Sequence, residues 1–549
     1  MSIITQSKKS VMKNILLLLT FQLLFLFATT AQTKFKFFDI KEGDLNPVTT
    51  NSYFEKLISY DRENDRTYIL KTEKLDDSDP RYFLLEYSSE LLQISNLKIN
   101  LKFGKRKRNY IDLFEFGGKF YLLSHLDDIK NNKFVIYIES INKVLMQLQS
   151  DLRPLSEIST KMNNTIGAFS YSISSDSTKL LVMANEFNEV KEIEKINLFC
   201  YNNKMEQLWN KTIPIAYDHE LAYSDKIGGS TMIRQLIVDN IGNAYFIYPT
   251  YENTIQFARK QEVQNSYNLL AYSADSDEHS TIPVSLKYKY ISDIAIYPIL
   301  SEDSIPKVVV TGFYSETNTS FMTGTYYLSA SGNDLSDTIT HTYAFEVDFL
   351  KNFMSDKKAQ KRKELYQYHL KNLVPLESGE IICIAEQSLS YNLANQDFGQ
   401  NNNLIVSMYD KSGKQKWIKT IMKKQGGDTN SEPYNSFTVT TDESNKKIYI
   451  FFNDHPNNLF ITDPKKIYSF SPHSPSVFSI CPVDFDGGIV RKMLFTNDRK
   501  KTTPCPLLST YTPNGELIIL KVGYKSHNLV KIKLFSNQAF FENIMDGNK

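Results

Sequence analysis

Three short segments hold the residues of this chain best suited to chemistry: Ala385-Glu386-Gln387, Met422-Lys423-Lys424-Gln425, and Asn453-Asp454-His455 with Asn458 just beyond. Two carboxylates facing one substrate can act as acid and base in hydrolysis, so Glu386 and Asp454 form a candidate catalytic pair, with glycans as the substrate class. Gln387, Lys424, Gln425, Asn453 and Asn458 add amide and ammonium groups that can recognise a polar ligand, and with the two carboxylates they make the candidate binding set. Carboxylates at strand ends also bond turn amides and lysines. Structural bonding, ligand contact and catalysis therefore all stand open for this set.

Other chemistry is sparse. There is no G-x-S-x-G nucleophile elbow, no H-E-x-x-H zinc motif and no P-loop. The eight histidines are scattered, and the acidic stretches at 76, 275 and 483 lack the rest of a calcium loop, so no metal site is predicted. Asp410-Lys411-Ser412-Gly413 with Trp417 matches the G-x-x-x-W of quinone-dependent propellers in one copy only, and no cofactor is predicted. Cys200 and Cys383 lie in apolar runs and read as core residues. Cys481 and Cys505 lie in loop-like segments, where a disulfide is open to an exported chain.

The elements that must position these residues are legible as a repeat. YNNKMEQLWNKTI at 201 and YDKSGKQKWIKTI at 409 align without a gap and contain the only two tryptophans. An apolar strand, a polar turn and a second apolar strand recur at 58, 114, 172, 237, 295, 374, 439 and 510. Gly, Asn, Asp and Ser supply the turns because they tolerate positive φ or bond their own backbone. With 13% aromatic residues and few helical patterns, this predicts an all-β chain: a β-propeller of about eight four-stranded blades, or seven, each of roughly 50 to 75 residues. A stacked solenoid or two β-sandwiches are the alternatives. The last unit shows three strands, and residues 34–40 are expected to supply its fourth, so that residues 32–549 form one domain. Phe349, Leu350, Phe353 and Met354 predict one short helical insertion near 349–366, read as a cover on the propeller side or a docking helix.

In an antiparallel meander a-b-c-d, the a–b and c–d turns share one face, while b–c and blade-to-blade connections share the other. The a–b turns here are tight, and the b–c segments at 249 and 387 are long. The long-loop face is therefore the candidate binding face, and all three chemical segments map to it. Tyr251, Phe257, Tyr391 and Phe398 add loop aromatics able to stack on sugars or grip a peptide. The order AEQ, DKSGKQKW, IMKKQ and FFNDHPNNL, over about 340–460, resembles an uncharacterised family of exported β-propeller proteins from Bacteroidetes-type bacteria. The resemblance implies that Glu386, Gln387, Lys424, Gln425, Asn453, Asp454 and Asn458 act as a cluster, and implies no reaction.

The chain opens with Lys8, Lys9 and Lys13, an apolar run from Ile15 to Phe27, and Thr29-Thr30-Ala31. This reads as a secretory signal peptide over 1–31, its run of about 13 residues being shorter than the roughly 20 that span a membrane. The mature chain is then expected in the periplasm or at the cell surface, with no transmembrane segment and with a protein or glycan of the envelope as partner. Removing the three lysines takes the formal charge from +1 to −2. That balance provides no footprint for nucleic acid, and the basic runs 105–108 and 357–363 read as solvated faces.

Overall fold

A computed structural model describes residues 38–534, except 50, 75–78, 129–132, 160–168, 187–192, 217–234, 252–264, 277, 301–305, 332–333, 394–395, 473, 498–501 and 513–514. The expected signal peptide and the loop containing Phe257 lie outside the described residues. By contacts the chain divides into a unit from Glu42 to Lys531 and a smaller one made of the two chain ends. The sites discussed below belong to the larger unit.

Eight sheets follow one another along the chain, each built on a meander of successive antiparallel strands and the last joined by the N-terminal strand, which makes the fold a β-propeller. All eight hairpins marked in the sequence are the first two strands, a and b, of a blade, from Ser52–Asp61 with Arg66–Glu73 in blade 1 to Thr503–Tyr511 with Glu516–Val522 in blade 8. Blade 6 comprises Tyr368–Pro375, Ile381–Leu393, Gln396–Tyr409 and Gln415–Ile421; blade 7 comprises Thr438–Asp442, Lys447–Asp454, Ser476–Asp484 and Lys492–Asn497. In blade 2 two short segments, Gln147–Leu148 and Arg153–Ser159, share the outer position. The sheet of blade 8 runs Phe38–Glu42, Ser526–Leu534, Glu516–Val522, Thr503–Tyr511, and Asn46–Pro47 also pairs with Ser526–His527. Strand a of blade 1 packs beside strand a of blade 8.

The a–b turn of blade 2 packs closely on the next blade at Gly117. Its φ is +54°, and a Cβ there would sit 2.4 Å from the carbonyl oxygen of Asn203. Between blades, alternate strand residues interleave: Ile382, Ile384, Leu404 and Val406 of blade 6 meet Ile448, Ile450 and Phe452 of blade 7 in one apolar cluster. The two tryptophans occupy such seams. Trp209 Nε1 donates to Gly242 O at 3.2 Å and Trp417 Nε1 to Phe485 O at 3.0 Å, each reaching the next blade.

Three expectations change in detail. The helical insertion is two short helices, Val347–Leu350 and Asp356–Gln360, with Phe349 and Leu350 buried against Tyr368, Ala385 and Ile405, so it covers the flank of the propeller. Cys481 and Cys505 lie in strands and are buried free thiols, because consecutive sheets separate their side chains into packed core positions. Arg108, at the end of a basic run expected to be solvated, is 2% exposed, with its guanidinium 2.9 Å from Glu139 Oε2 and 2.9 Å from Ser124 Oγ. Lys357, Lys358, Lys361 and Lys363 are exposed as expected.

At the seam of blades 8 and 1, His527 is 2% exposed and shares a 2.6 Å hydrogen bond between its Nε2 and the Tyr87 hydroxyl, while its Nδ1 finds no partner. Burial, with a lesser push from the Lys71 charge, brings its pKa down to about 4. The unfolded chain therefore binds a proton between roughly pH 6.5 and 4 that the folded chain refuses. Stability is full above about 6.5 and falls by up to about 3 kcal/mol as pH drops through that window. Thermal melts of the wild type and His527→Gln across it are expected to converge as pH falls; a constant separation would contradict this.

Candidate functional site

Strand alternation decides what each candidate residue meets. In strand b of blade 6, Ile382 and Ile384 face blade 7, and Glu386 continues that row. After the last strand of blade 6, Ile421, Lys423 and Gln425 are buried while Lys424 between them is exposed. In strand b of blade 7, Ile448, Ile450 and Phe452 face blade 6 and Asp454 extends their row, so Asn453 points the other way, toward blade 8. Each chemical group thus sits where an apolar row ends at the long-loop face.

Glu386, Lys423 and Gln425 form a closed buried centre. Glu386 and Lys423 have side chains 0% exposed and lie 2.6 Å apart, Oε1 to Nζ. Lys423 Nζ also donates to Gln425 Oε1 at 2.7 Å and to Asn401 O at 3.0 Å, while Glu386 Oε2 accepts from Asn401 Nδ2 and Ser436 Oγ, each at 2.8 Å. Ser436 adopts a positive φ of 67°, strained for a residue with a Cβ. Its N–H donates to Gln425 Oε1 at 2.7 Å, which pins the strained turn. Burial pushes the Lys423 ammonium below the ordinary lysine pKa, and the Glu386 carboxylate draws it back.

A second branch runs through blade 7. Asp454, 0% exposed, accepts from Asn458 Nδ2 at 2.7 Å and His455 N at 2.9 Å through Oδ1, and from Arg491 at 2.9 Å through Oδ2. Arg491 also donates to Met422 O. Burial raises the Asp454 pKa, and the Arg491 charge opposes this. Asn453 Nδ2 donates to Tyr434 O at 2.9 Å and Pro504 O at 2.7 Å, its Oδ1 accepts from Asn497, and its carbonyl accepts from Gln425 Nε2 at 2.8 Å.

The structure therefore brings Glu386, Gln425, Asn453, Asp454 and Asn458 together, but inside the protein. Every carboxylate oxygen of Glu386 and Asp454 is taken by a protein donor, and each acid has its own cation. Among the described residues the two acids line no common cleft, each being buried against its own cation. Gln387 is half-buried, with Nε2 donating to Tyr366 O at 3.2 Å. Lys424 is exposed, and its carbonyl accepts from Phe470 N at 2.8 Å. Strand b of blade 6 does not end at Gln387 but continues to Leu393 and returns from Gln396, so most of the expected loop is a projecting hairpin whose Phe398–Asn401 stretch also pairs with Gln425–Asp428.

Lys423, Asn401, Ser436, Arg491 and Asn497 complete the network and were not in the candidate set. Lys423 was detectable, since counting by twos from Ile421 places it, and not Lys424, on the buried side. The others come from separate connections and carry no local signal. Among the described residues no group of three or more His, Cys, Asp or Glu side chains is arranged to hold a metal ion.

What the network holds in place is accessible. Asn458 clamps Tyr468 from both sides, Nδ2 to Tyr468 O and Tyr468 N to Oδ1, each at 2.8 Å. The segment 455–470 so anchored forms short 3₁₀ turns, Pro456–Phe460 and Pro464–Lys466, and encloses an open recess of about 480 Å³ lined by Asn457, Phe460, Asp463, Lys466 and Tyr468 among others.

No protein-family model matches the chain, and no curated protein does. Solved structures that align with it include the WD40 domain of SCAP from fission yeast, at 8% identity over 91% of this chain and 95% of that one, with a TM-score of 0.38. The β-propeller domain of the Trilobed protease from Pyrococcus furiosus aligns at 10% identity over 82% and 94%, with a TM-score of 0.34. A Synechocystis apocarotenoid oxygenase mutant aligns at 11% identity over 90% of each chain, with a TM-score of 0.30. At these identities the likeness concerns fold, and the propeller assignment rests on the chain's own eight sheets. Among the described residues no helix is long and apolar enough to cross a membrane.

Proposed function

We propose that this chain is an exported β-propeller, resident in the periplasm or at the cell surface, that binds a component of the cell envelope through the long-loop face of blades 6 and 7. The observation that carries the reading is the use of a buried network built on two ion pairs, Glu386–Lys423 and Asp454–Arg491, to fix three connections on one face. A rigid polar core beneath exposed loops suits recognition, because pre-organised contacts lose little entropy on binding. The lysines and apolar run of residues 8–27 support export. The buried, cation-paired carboxylates favour a binding module over the glycan hydrolase.

The test joins location to binding. Expressed from its own N-terminus in a Bacteroidetes host, the protein is expected in the periplasmic or surface fraction with a mass starting at Gln32; an intact N-terminus in the cytoplasm overturns export. The mature chain is expected to co-sediment with washed envelopes, and replacing 457–468 with a Gly/Ser linker, or shortening the hairpin across 390–399, is expected to lower retention at least about tenfold. Retention unaffected by both changes rejects this face.

A further inference from the structure

We propose that the recess at 457–468 is a subsite for a neutral carbohydrate; this deepens the binding-face reading and rests on it. Its volume of about 480 Å³ falls within the range of small-ligand sites. Phe460 is 87% exposed and Tyr468 51% exposed, and both rings line this one recess. A pyranose offers an apolar C–H face for stacking on such rings and a rim of hydroxyls for the amide of Asn457 and the carboxylate of Asp463.

Charge argues for a neutral ligand. The recess is lined by one cation and one anion, Lys466 Nζ lying 3.6 Å from Asp463 Oδ2, and Lys465 beside it lies 3.7 Å from Asp356 Oδ1, so it offers no net charge to an anion or cation. The patch is also small. Two exposed rings do not make the roughly 800 Å² per partner of a stable protein interface, which favours a sugar over a folded protein.

The platform is built to stay in place. The His455 ring stacks on Tyr468 at 4.9 Å between centroids and 20° between planes. The Tyr468 backbone is clamped by buried Asn458, itself held by Asp454. Fixed aromatic faces bind with less ordering cost than mobile ones.

Affinity electrophoresis of the mature chain in native gels containing xylan, hydroxyethylcellulose, starch or galactomannan tests the inference. At least one polymer is expected to retard the wild type, and the retardation is expected to survive 0.5 M NaCl, because the ligand carries no charge. Phe460→Ala and Tyr468→Ala are expected to weaken binding at least about tenfold, while Phe460→Trp retains it. Phe460 is so exposed that the melting temperature of Phe460→Ala should match the wild type, which separates lost contact from lost fold. No retardation in any of the four gels, or retardation indifferent to Phe460→Ala, overturns the carbohydrate assignment. If envelope retention then still depends on 457–468 or on the 390–399 hairpin, the binding-face reading stands without the sugar; if it depends on neither, both fall.

Discussion

Lys423→Met is expected to destabilise the chain by about 3–5 kcal/mol, because it leaves the Glu386 carboxylate buried without its cation. Side chains at 0% exposure have no water to turn to, and the lost ammonium also satisfies Gln425 Oε1 and Asn401 O. Glu386→Gln alone strands the ammonium and should cost a similar amount. The double variant Glu386→Gln/Lys423→Met removes both charges and keeps an amide near Asn401 and Ser436. It should therefore recover much of the loss, since a neutral buried arrangement can equal an ion pair. Urea denaturation of the four proteins measures the coupling. Additive losses would show that the two groups do not form the buried pair described.

Asp454→Ala is expected to cost about 3 kcal/mol and to release the segment 455–470 from the top of blade 7. The change removes the acceptor for Asn458, His455 N–H and Arg491 together. Arg491 is 12% exposed and retains Met422 O, so the cost falls toward the lower end for a broken buried pair. Hydrogen exchange should rise across 455–470 while strand b of blade 7 stays protected, because Asn453 keeps its bonds to Tyr434 O and Pro504 O. Arg491→Lys should cost less, keeping the charge but losing the fork that reaches two acceptors. Unchanged exchange in 455–470 would refute the anchoring role of Asp454.

These two pairs show where linear reading succeeds and stops. Ala385-Glu386-Gln387, Lys423–Gln425 and Asn453–Asn458 stand out locally as polar residues that interrupt apolar rows, and the meander placed them at one end of adjacent blades. Burial was not legible there, because an exposed rim and a capped rim have the same strand ends. The cap consists of residues 422–437, whose strained Ser436 is pinned by Gln425 and Glu386. Arg491, some 37 positions beyond Asp454, belongs to a different connection, and nothing local to either residue announces the pair.

By itself the sequence determined the eight hairpins, their tight turns and the face on which the long connections emerge, because each follows from period-two alternation and turn chemistry acting over about ten residues. Only the tertiary structure decided that Glu386 and Asp454 are internal counter-ions and that Phe460 and Tyr468 stand in the open. Exposure at a propeller face depends on how connections from neighbouring blades fold over one another, and that is a property of contacts between residues tens of positions apart.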